Sequence, residues 1–426
     1  MPLQLVEPVA PGDFVSWPHD YVRYALTVAS LLTLEEAQAL VLNAARPLPA
    51  ELVVVPCSAG RVSAEDVRAR VDLPPFASSA MDGFAVRAAD VPGTLAIAGE
   101  SAAGAPLSGS LEPGHAAPIS TGAVVPEGAD SVVPIESVVR EDNRVEISHS
   151  VAPGAHVRPR GGDVAAGELV VPAGVLLTPA RLAAAAAAGA AELSCARRPR
   201  IAVLATGSEL VAPGDPLEPG QIYETNSLML SAALAAAGAE ILTGPPVADD
   251  ESALREALER GLGADVLVTS GGVSVGEHDL VRAAERDLGV DEIFWRVSIK
   301  PGKPVSFGVR GATLVFGLPG NPVSALVGCE LFVKPALRAL QGIEHPLPRH
   351  EPGRLAAALR RNQERDEFVR ARTRVDGAGL LVEPIVGQES HMIVRSGAAD
   401  ALIHVPRGNG ELEAGSTVRW LRLYSS

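Results

Sequence analysis

Residues 265–279 read Asp265-Val-Leu-Val-Thr-Ser-Gly-Gly-Val-Ser-Val-Gly-Glu-His-Asp279. An apolar β-branched run passes directly into a glycine turn, as a strand does when it is buried on both faces and ends in an open loop. Upstream, Ile201–Ala205 repeats the pattern and runs into Thr206-Gly207-Ser208-Glu209-Leu210. Between and beyond these strands lie helix signals. Asn226 is placed to cap a helix that stops near Gly238, before a strand at Glu240–Leu242. Asp249 and Asp250 are placed to cap a helix to about Gly261, and another runs from about Asp279 to Gly289. Glu292–Ile299 reads as a strand, and Val305–Gly308 with Thr313–Phe316 as a hairpin. Asn321-Pro322 opens a helix to about Leu340. This alternation predicts a mostly parallel α/β sheet over residues 199–347, with helices on both faces and ligands at the carboxyl ends of its strands.

The flanks differ in character. Thr33 and Glu36 form a capping-box pattern for a helix to about Ala45. Residues 70–150 are dense in Gly and Pro with short Val/Ile runs, which reads as a small all-β unit. Thr178-Pro179 opens an Ala-rich helix to about Glu192. Residues 348–426 revert to short strands and turns, and residues 1–24 read as an extension.

Composition excludes several classes. The chain has 426 residues, 47% apolar and 20% charged, with a net charge of −15. Such an acidic chain does not offer nucleic acid or an anionic membrane a broad binding surface, so an anionic ligand needs a local cationic pocket. The longest apolar run, Leu182 to Ala191, is half of what a membrane span requires, roughly 20 residues. Glu7 and Asp13, with no Lys or Arg in the first twenty residues, argue against a targeting signal. Cys57, Cys195 and Cys329 are scattered and read as reduced thiols of a cytoplasmic protein.

Three loops carry candidate chemistry: 206–210, 270–279 and Gly317-Leu-Pro-Gly320-Asn321-Pro322. Glycine there lets backbone N–H groups approach an anion, although each loop alone also fits a tight strand-to-helix turn. None matches a P-loop or a dinucleotide fingerprint. The nearby acids Glu209, Asp249, Asp250, Glu277 and Asp279 suit Mg²⁺ bridged to phosphate. Equally, Asp250 and Asp279 are good helix caps and Glu209 a good turn residue. The nine histidines form no metal-spaced motif, and Ser208 and Ser274 lack an evident base. Only Lys300, Lys303 and Lys334 among 36 basic residues are lysines. Two of them within Lys300-Pro-Gly-Lys303-Pro304 make a preorganised oxyanion pocket the natural reading.

Several longer motifs resemble the molybdopterin molybdenumtransferase family, which includes MoeA and the E domain of gephyrin. They are Leu73-Pro-Pro-Phe with Ser79-Ala-Met-Asp82-Gly-Phe-Ala-Val86, Ser120-Thr121-Gly-Ala123, Arg158-Pro-Arg160-Gly-Gly-Asp163, Ser270-Gly-Gly-Val-Ser-Val-Gly276, the Lys300 loop, and Gly317-Leu-Pro-Gly-Asn-Pro-Val-Ser324. They follow family order from about residue 33 to the C-terminus.

The resemblance implies a homodimer of four-domain subunits. Residues 25–69 with 151–198 would form a discontinuous first domain enclosing a β-rich domain (70–150). A three-layer α/β/α domain (199–347) and a C-terminal β-barrel (348–426) would follow. It implies insertion of molybdenum from molybdate into adenylylated molybdopterin, with release of AMP and with Mg²⁺ or another divalent cation. Transient partners would be the adenylyltransferase and molybdoenzymes or their chaperones.

Carried over by position, Ser274, Lys300, Lys303, Pro304, Arg370 and Ser390 form the molybdate pocket. Ser270, Gly271, Gly272, Gly320 and Asn321 line the substrate loops. Glu209, Asp249 and Asp279 hold the metal, and Asp82 and Thr121 complete the catalytic set across the dimer. The chain departs from the family pattern at Ala77, Ser78, Ser208 and Arg296, and the change at 208 removes one potential metal ligand. Two other readings are a non-catalytic cofactor carrier or scaffold and the related adenylyltransferase. The retained lysines and acids argue against the first, and the two additional β domains against the second.

Overall fold

The computed structural model describes residues 31–248, 250–272, 280–377 and 379–423. These residues divide into one compact unit, up to Leu48 and from Arg198 onward, and a second, Pro49–Arg197.

In the first unit a six-stranded sheet runs from edge to edge as Glu240–Thr243, Arg200–Ala205, Val266–Ser270, Thr313–Leu318, Ser306–Arg310 and Asp291–Trp295. The first four strands are mutually parallel, and the last two are added by successive antiparallel pairings. The two-residue period sorts their side chains. Ile201, Val203, Val266, Val268, Leu314 and Phe316 enter one core with Leu34, Leu230 and Leu331. Their neighbours Ala202, Leu204, Leu267 and Val315 enter the other, with Leu254 and Val281. Helices therefore cover both faces. Each fully buried Leu, Ile or Phe contributes about 1.5–3 kcal/mol, which is why the centres of these strands are mostly apolar.

Helix Leu34–Ala44 begins with the expected capping box at Thr33 and Glu36. Leu34, Ala37 and Val41 place it in the core of the α/β unit. The helical stretch 322–340 is continuous but contains a π-turn, Cys329–Val333. Such a turn frees a carbonyl from the helical ladder. Here the Leu331 carbonyl accepts a 2.9 Å bond from Gln38 Nε2, which fastens helix Leu34–Ala44 in place. One turn on, Lys334 pairs with the buried Glu330 at 2.5 Å.

The strand expected over 292–299 ends early, at Trp295. Arg296 takes a left-handed φ of 78° and the chain leaves the α/β sheet. Its next extended pair, Ile299–Lys300, joins the C-terminal sheet alongside Asp366–Glu367. That sheet closes into a five-stranded barrel: Asp366–Asp376, Gly379–Pro384, His350–Leu355, Thr417–Arg422 and Ala401–Val405, the last pairing back onto the first. Trp420, fully buried, sits in its core with Leu355, Val382 and Ile403.

The second unit holds a six-stranded sheet ordered Ser131–Pro134, Gly83–Val86, His115–Ile119, Gly93–Ile97, Arg144–Ile147, Val139–Glu141. Its helix Pro179–Ala187 is shorter than expected. The chain turns at Gly189, φ 90°, and Glu192–Ala196 becomes a strand paired with Ala50–Val54.

Candidate active site

The starts of the three glycine loops lie side by side. Ala205, Ser270 and Leu318 are register partners at the carboxyl ends of three adjacent parallel strands. Thr206 donates its N–H to the Ser270 carbonyl at 3.0 Å, and Gly271 donates to Leu318 at 3.1 Å. Gly271 (φ 102°) and Gly272 (φ 65°) have no room for a side chain: a Cβ would lie 2.5 Å from the Thr206 carbonyl oxygen or 2.2 Å from Val281 Cγ2, respectively. Gly320 and Asn321 are exposed at the same edge. Asn321 occupies the N-cap of the helix beginning at Pro322 without a side-chain bond to it.

Ser270 is buried, and its hydroxyl is already engaged. It accepts a 2.9 Å bond from Asn226 Nδ2, which also donates to the Gly320 carbonyl at 2.7 Å. Asn226 was expected as a helix cap, but Thr225 holds that position and Asn226 is the first helical residue. Its side chain turns inward because two acceptors lie there. The carboxamide oxygen, buried with the rest of the residue, has no partner among the described residues.

The carboxylates divide. Glu209 is exposed, with its carboxylate folded back over Gly207: a Cβ there would be 2.6 Å from Glu209 Oε2. Asp250 is a helix cap. The Ala253 N–H and then the Ser252 hydroxyl hold its carboxyl below the usual range. Asp249, Ser274, Glu277 and Asp279 lie outside the described residues. Among the described residues no group of three His, Cys, Asp or Glu side chains is arranged to hold a metal.

The lysine loop lies against the start of the Pro322 helix. A Cβ on Gly302 would be 3.5 Å from the Ser324 carbonyl oxygen, an ordinary contact. Val323 donates its N–H to the Ser390 carbonyl at 3.0 Å, which brings Ser390 to the same helix start. Lys303 and Pro304 are half-buried. Lys300 Nζ is 3.0 Å from Glu367 Oε1, a partner that sequence reasoning missed. Glu367 belongs to a barrel strand 67 residues on, so only the register of Ile299–Lys300 with Asp366–Glu367 reveals the pair.

Arg370, expected to face molybdate, is fully buried. Its guanidinium donates to the carbonyls of Gly387, Glu389 and Met392 and to Ser396 Oγ, at 2.7–3.2 Å. A planar fork with five donors suits this cluster of loop carbonyls. Arg370 thus shapes the loop that carries Ser390.

In the other unit, Asp82 Oδ1 accepts the Thr121 N–H at 2.6 Å and the Thr121 hydroxyl at 2.9 Å. Those two bonds hold the Asp82 carboxyl below its ordinary range. The sequence-predicted pair is therefore a single hydrogen-bonded group on the surface. Arg160 pairs with Asp72 at 2.6 Å.

Family models match three regions: the MoeA N-terminal region, domains I and II, over residues 32–189; a probable molybdopterin binding domain over 202–339; and the MoeA C-terminal region, domain IV, over 352–423. Molybdopterin molybdenumtransferase 2 of Mycobacterium tuberculosis is 39% identical over 89% of this chain and 95% of its own length. The molybdopterin molybdenumtransferase of Haemophilus influenzae is 36% identical over 91% and 98%. The crystal structure of the molybdopterin biosynthesis MoeA protein of Pyrococcus horikoshii OT3 superposes with a TM-score of 0.80 at 29% identity, covering 93% of this chain and 100% of that one. With its matched domains in the same order along the chain, the protein belongs to the MoeA family.

Proposed function

We infer that this chain is a transferase of molybdenum cofactor biosynthesis, which inserts molybdenum from molybdate into adenylylated molybdopterin and releases AMP. The observation that carries this reading is the shared helix start at Pro322. Gly320 and Asn321 border it on the glycine-loop side; Ser390 and the Lys300 loop meet it on the other. A phosphate-bearing pterin and a tetrahedral oxyanion can therefore bind side by side.

In this mechanism the backbone N–H groups of the glycine loops hold the pyrophosphate, and the Pro322 helix start adds its dipole. Lys300 and Lys303 hold molybdate. Binding energy from the nucleotide and pterin places the dithiolene beside the oxyanion. The two sulfurs replace one oxide, which leaves with the two thiol protons as water. Water adds to the pyrophosphate, and cleavage of its bridging P–O bond frees AMP. Mg²⁺, or another divalent cation, belongs to the proposal with Glu209, Asp249 and Asp279 as its oxygen ligands, and would neutralise phosphate charge. Asp82 and Thr121 act in the partner subunit's site of a cytoplasmic homodimer. The four-domain division, and handover from an adenylyltransferase and to molybdoenzymes or their chaperones, are parts of the same reading.

A single-turnover assay with adenylylated molybdopterin, molybdate and Mg²⁺ tests it. Coupled AMP release and molybdenum incorporation, both lost in Lys300→Ala/Lys303→Ala, is the expected result. Tight pterin binding without turnover would replace the enzyme with a carrier.

A further inference from the structure

We propose that Glu367 is an internal counter-ion of the oxyanion pocket, displaced from Lys300 when the oxyanion arrives and setting how tightly the pocket holds it. This rests on the assignment of molybdate to the Lys300 loop made above.

The geometry is specific. Lys300 and Glu367 are direct register partners where Ile299–Lys300 lies parallel to the barrel strand. Their charged atoms are 3.0 Å apart. The two side chains differ in exposure, 47% for Lys300 and 16% for Glu367. The carboxylate is thus the fixed member, anchored next to the buried Phe368, and the ammonium is the member that solvent or a ligand can reach. A carboxylate so withdrawn from water needs a cation, and Lys300 supplies its ion pair among the described residues.

The pocket's charge changes accordingly. Read along the chain, Lys300, Lys303 and Arg370 offer three positive charges to an anion. Arg370 is committed to the carbonyls of its own loop, and Glu367 cancels one lysine. Lys303, which makes no ion pair among the described residues, is left as the uncompensated lysine. A tetrahedral dianion entering beside Lys300 must compete with a carboxylate for the same ammonium.

Such competition has a use. Tight binding of the oxyanion before reaction would not speed the chemical step, since only interactions stronger in the transition state do so. A resident carboxylate keeps molybdate loosely held and lets Lys300 return to a partner once the metal has left as part of the cofactor.

The test is equilibrium binding of molybdate alone to the full chain by calorimetry, with unfolding midpoints measured in parallel. Removing a like charge a few ångströms from the anion should tighten binding about five- to tenfold in Glu367→Gln. A lost structural contact does not produce such a gain. Lys300→Met should weaken binding, and Lys300→Met/Glu367→Gln should bind more tightly than Lys300→Met. The double variant also carries the comparison if Glu367→Gln alone does not fold. Unchanged or weaker binding in folded Glu367→Gln overturns the proposal and makes Glu367 a simple anchor for Lys300. If Lys303→Ala and Lys300→Met both bind molybdate like the wild type, the pocket assignment itself fails, whatever Glu367 does.

Discussion

Asn226 Nδ2 lies 2.9 Å from Ser270 Oγ and 2.7 Å from the Gly320 carbonyl oxygen, so one carboxamide joins the ends of two neighbouring strands. The two glycine loops proposed to grip the substrate are thereby held at one separation. In Asn226→Ala the buried Ser270 hydroxyl and the part-buried Gly320 carbonyl lose their donor, and a loss of about 1–3 kcal/mol of stability is expected. Urea denaturation measures it. The site should respond too: the pterin KM should rise well beyond what residual unfolding explains. An Asn226→Ala enzyme with wild-type KM would show that the tie is structural only.

Arg370 is expected to behave as a scaffold. Arg370→Met leaves the carbonyls of Gly387, Glu389 and Met392 short of a donor, with a cost of several kcal/mol on the order of other broken buried networks. Thermal unfolding should show it without any ligand present. If Arg370→Met melts like the wild type and loses only molybdate binding, the residue faces the ligand after all.

Glu330 and Lys334 are both largely buried, and burial pushes the Glu330 carboxyl up from its usual range even though Lys334 opposes the shift. Lys334→Met leaves that carboxylate without its partner and should cost about 3–5 kcal/mol. Lys334→Met/Glu330→Gln should recover most of it. Chemical denaturation of the two variants provides the comparison.

Acid should loosen the barrel. His350 and His404 lie with ring centroids 5.6 Å apart, and His404 stacks on Phe368. Burial, then Arg419 and His404, pull His350 down to about 4. Burial also lowers His404, against the opposing pull of Asp366 and Glu35. A free histidine titrates near 6.5, so between that value and about 4 the unfolded chain binds more protons than the folded one. The histidines' contribution is therefore complete above pH 6.5 and is lost as pH falls towards 4. Stability measured across that window should slope downward with acid, and His350→Gln should flatten the slope.

A methyl group tests the loop packing. Gly272→Ala places a Cβ 2.2 Å from Val281 Cγ2 on a backbone with φ 65°. Both the clash and the left-handed geometry oppose it, and a loss of about 2 kcal/mol or more is expected in denaturant titration.

Much of the architecture was legible along the chain. The apolar runs Ile201–Ala205 and Val266–Val268 marked two strands buried on both faces, and the glycines at 207 and 271 marked the loops that leave them. The capping box at Thr33 and the proline at 322 marked two helix starts. Boundaries failed where a long-range contact decided them. The strand expected to reach Ile299 stops at Trp295 because the next residues pair with the barrel. Asn226 left its capping role because Ser270 and Gly320, 44 and 94 residues away, offered better partners.

The site divides in the same way. The sequence by itself determined which chemistry is present: glycine loops at strand ends, two lysines in an Arg-writing chain, and acids clustered beside the loops. These are local features, since backbone freedom, side-chain charge and turn formation act over a few residues. Only the tertiary structure decided how that charge is spent. Glu367 neutralises Lys300 across a strand pairing, and Arg370 is consumed by carbonyls of a folded loop. An electrostatic partner is chosen by distance in space, and residues far apart in the chain acquire that distance only when the sheet and barrel close.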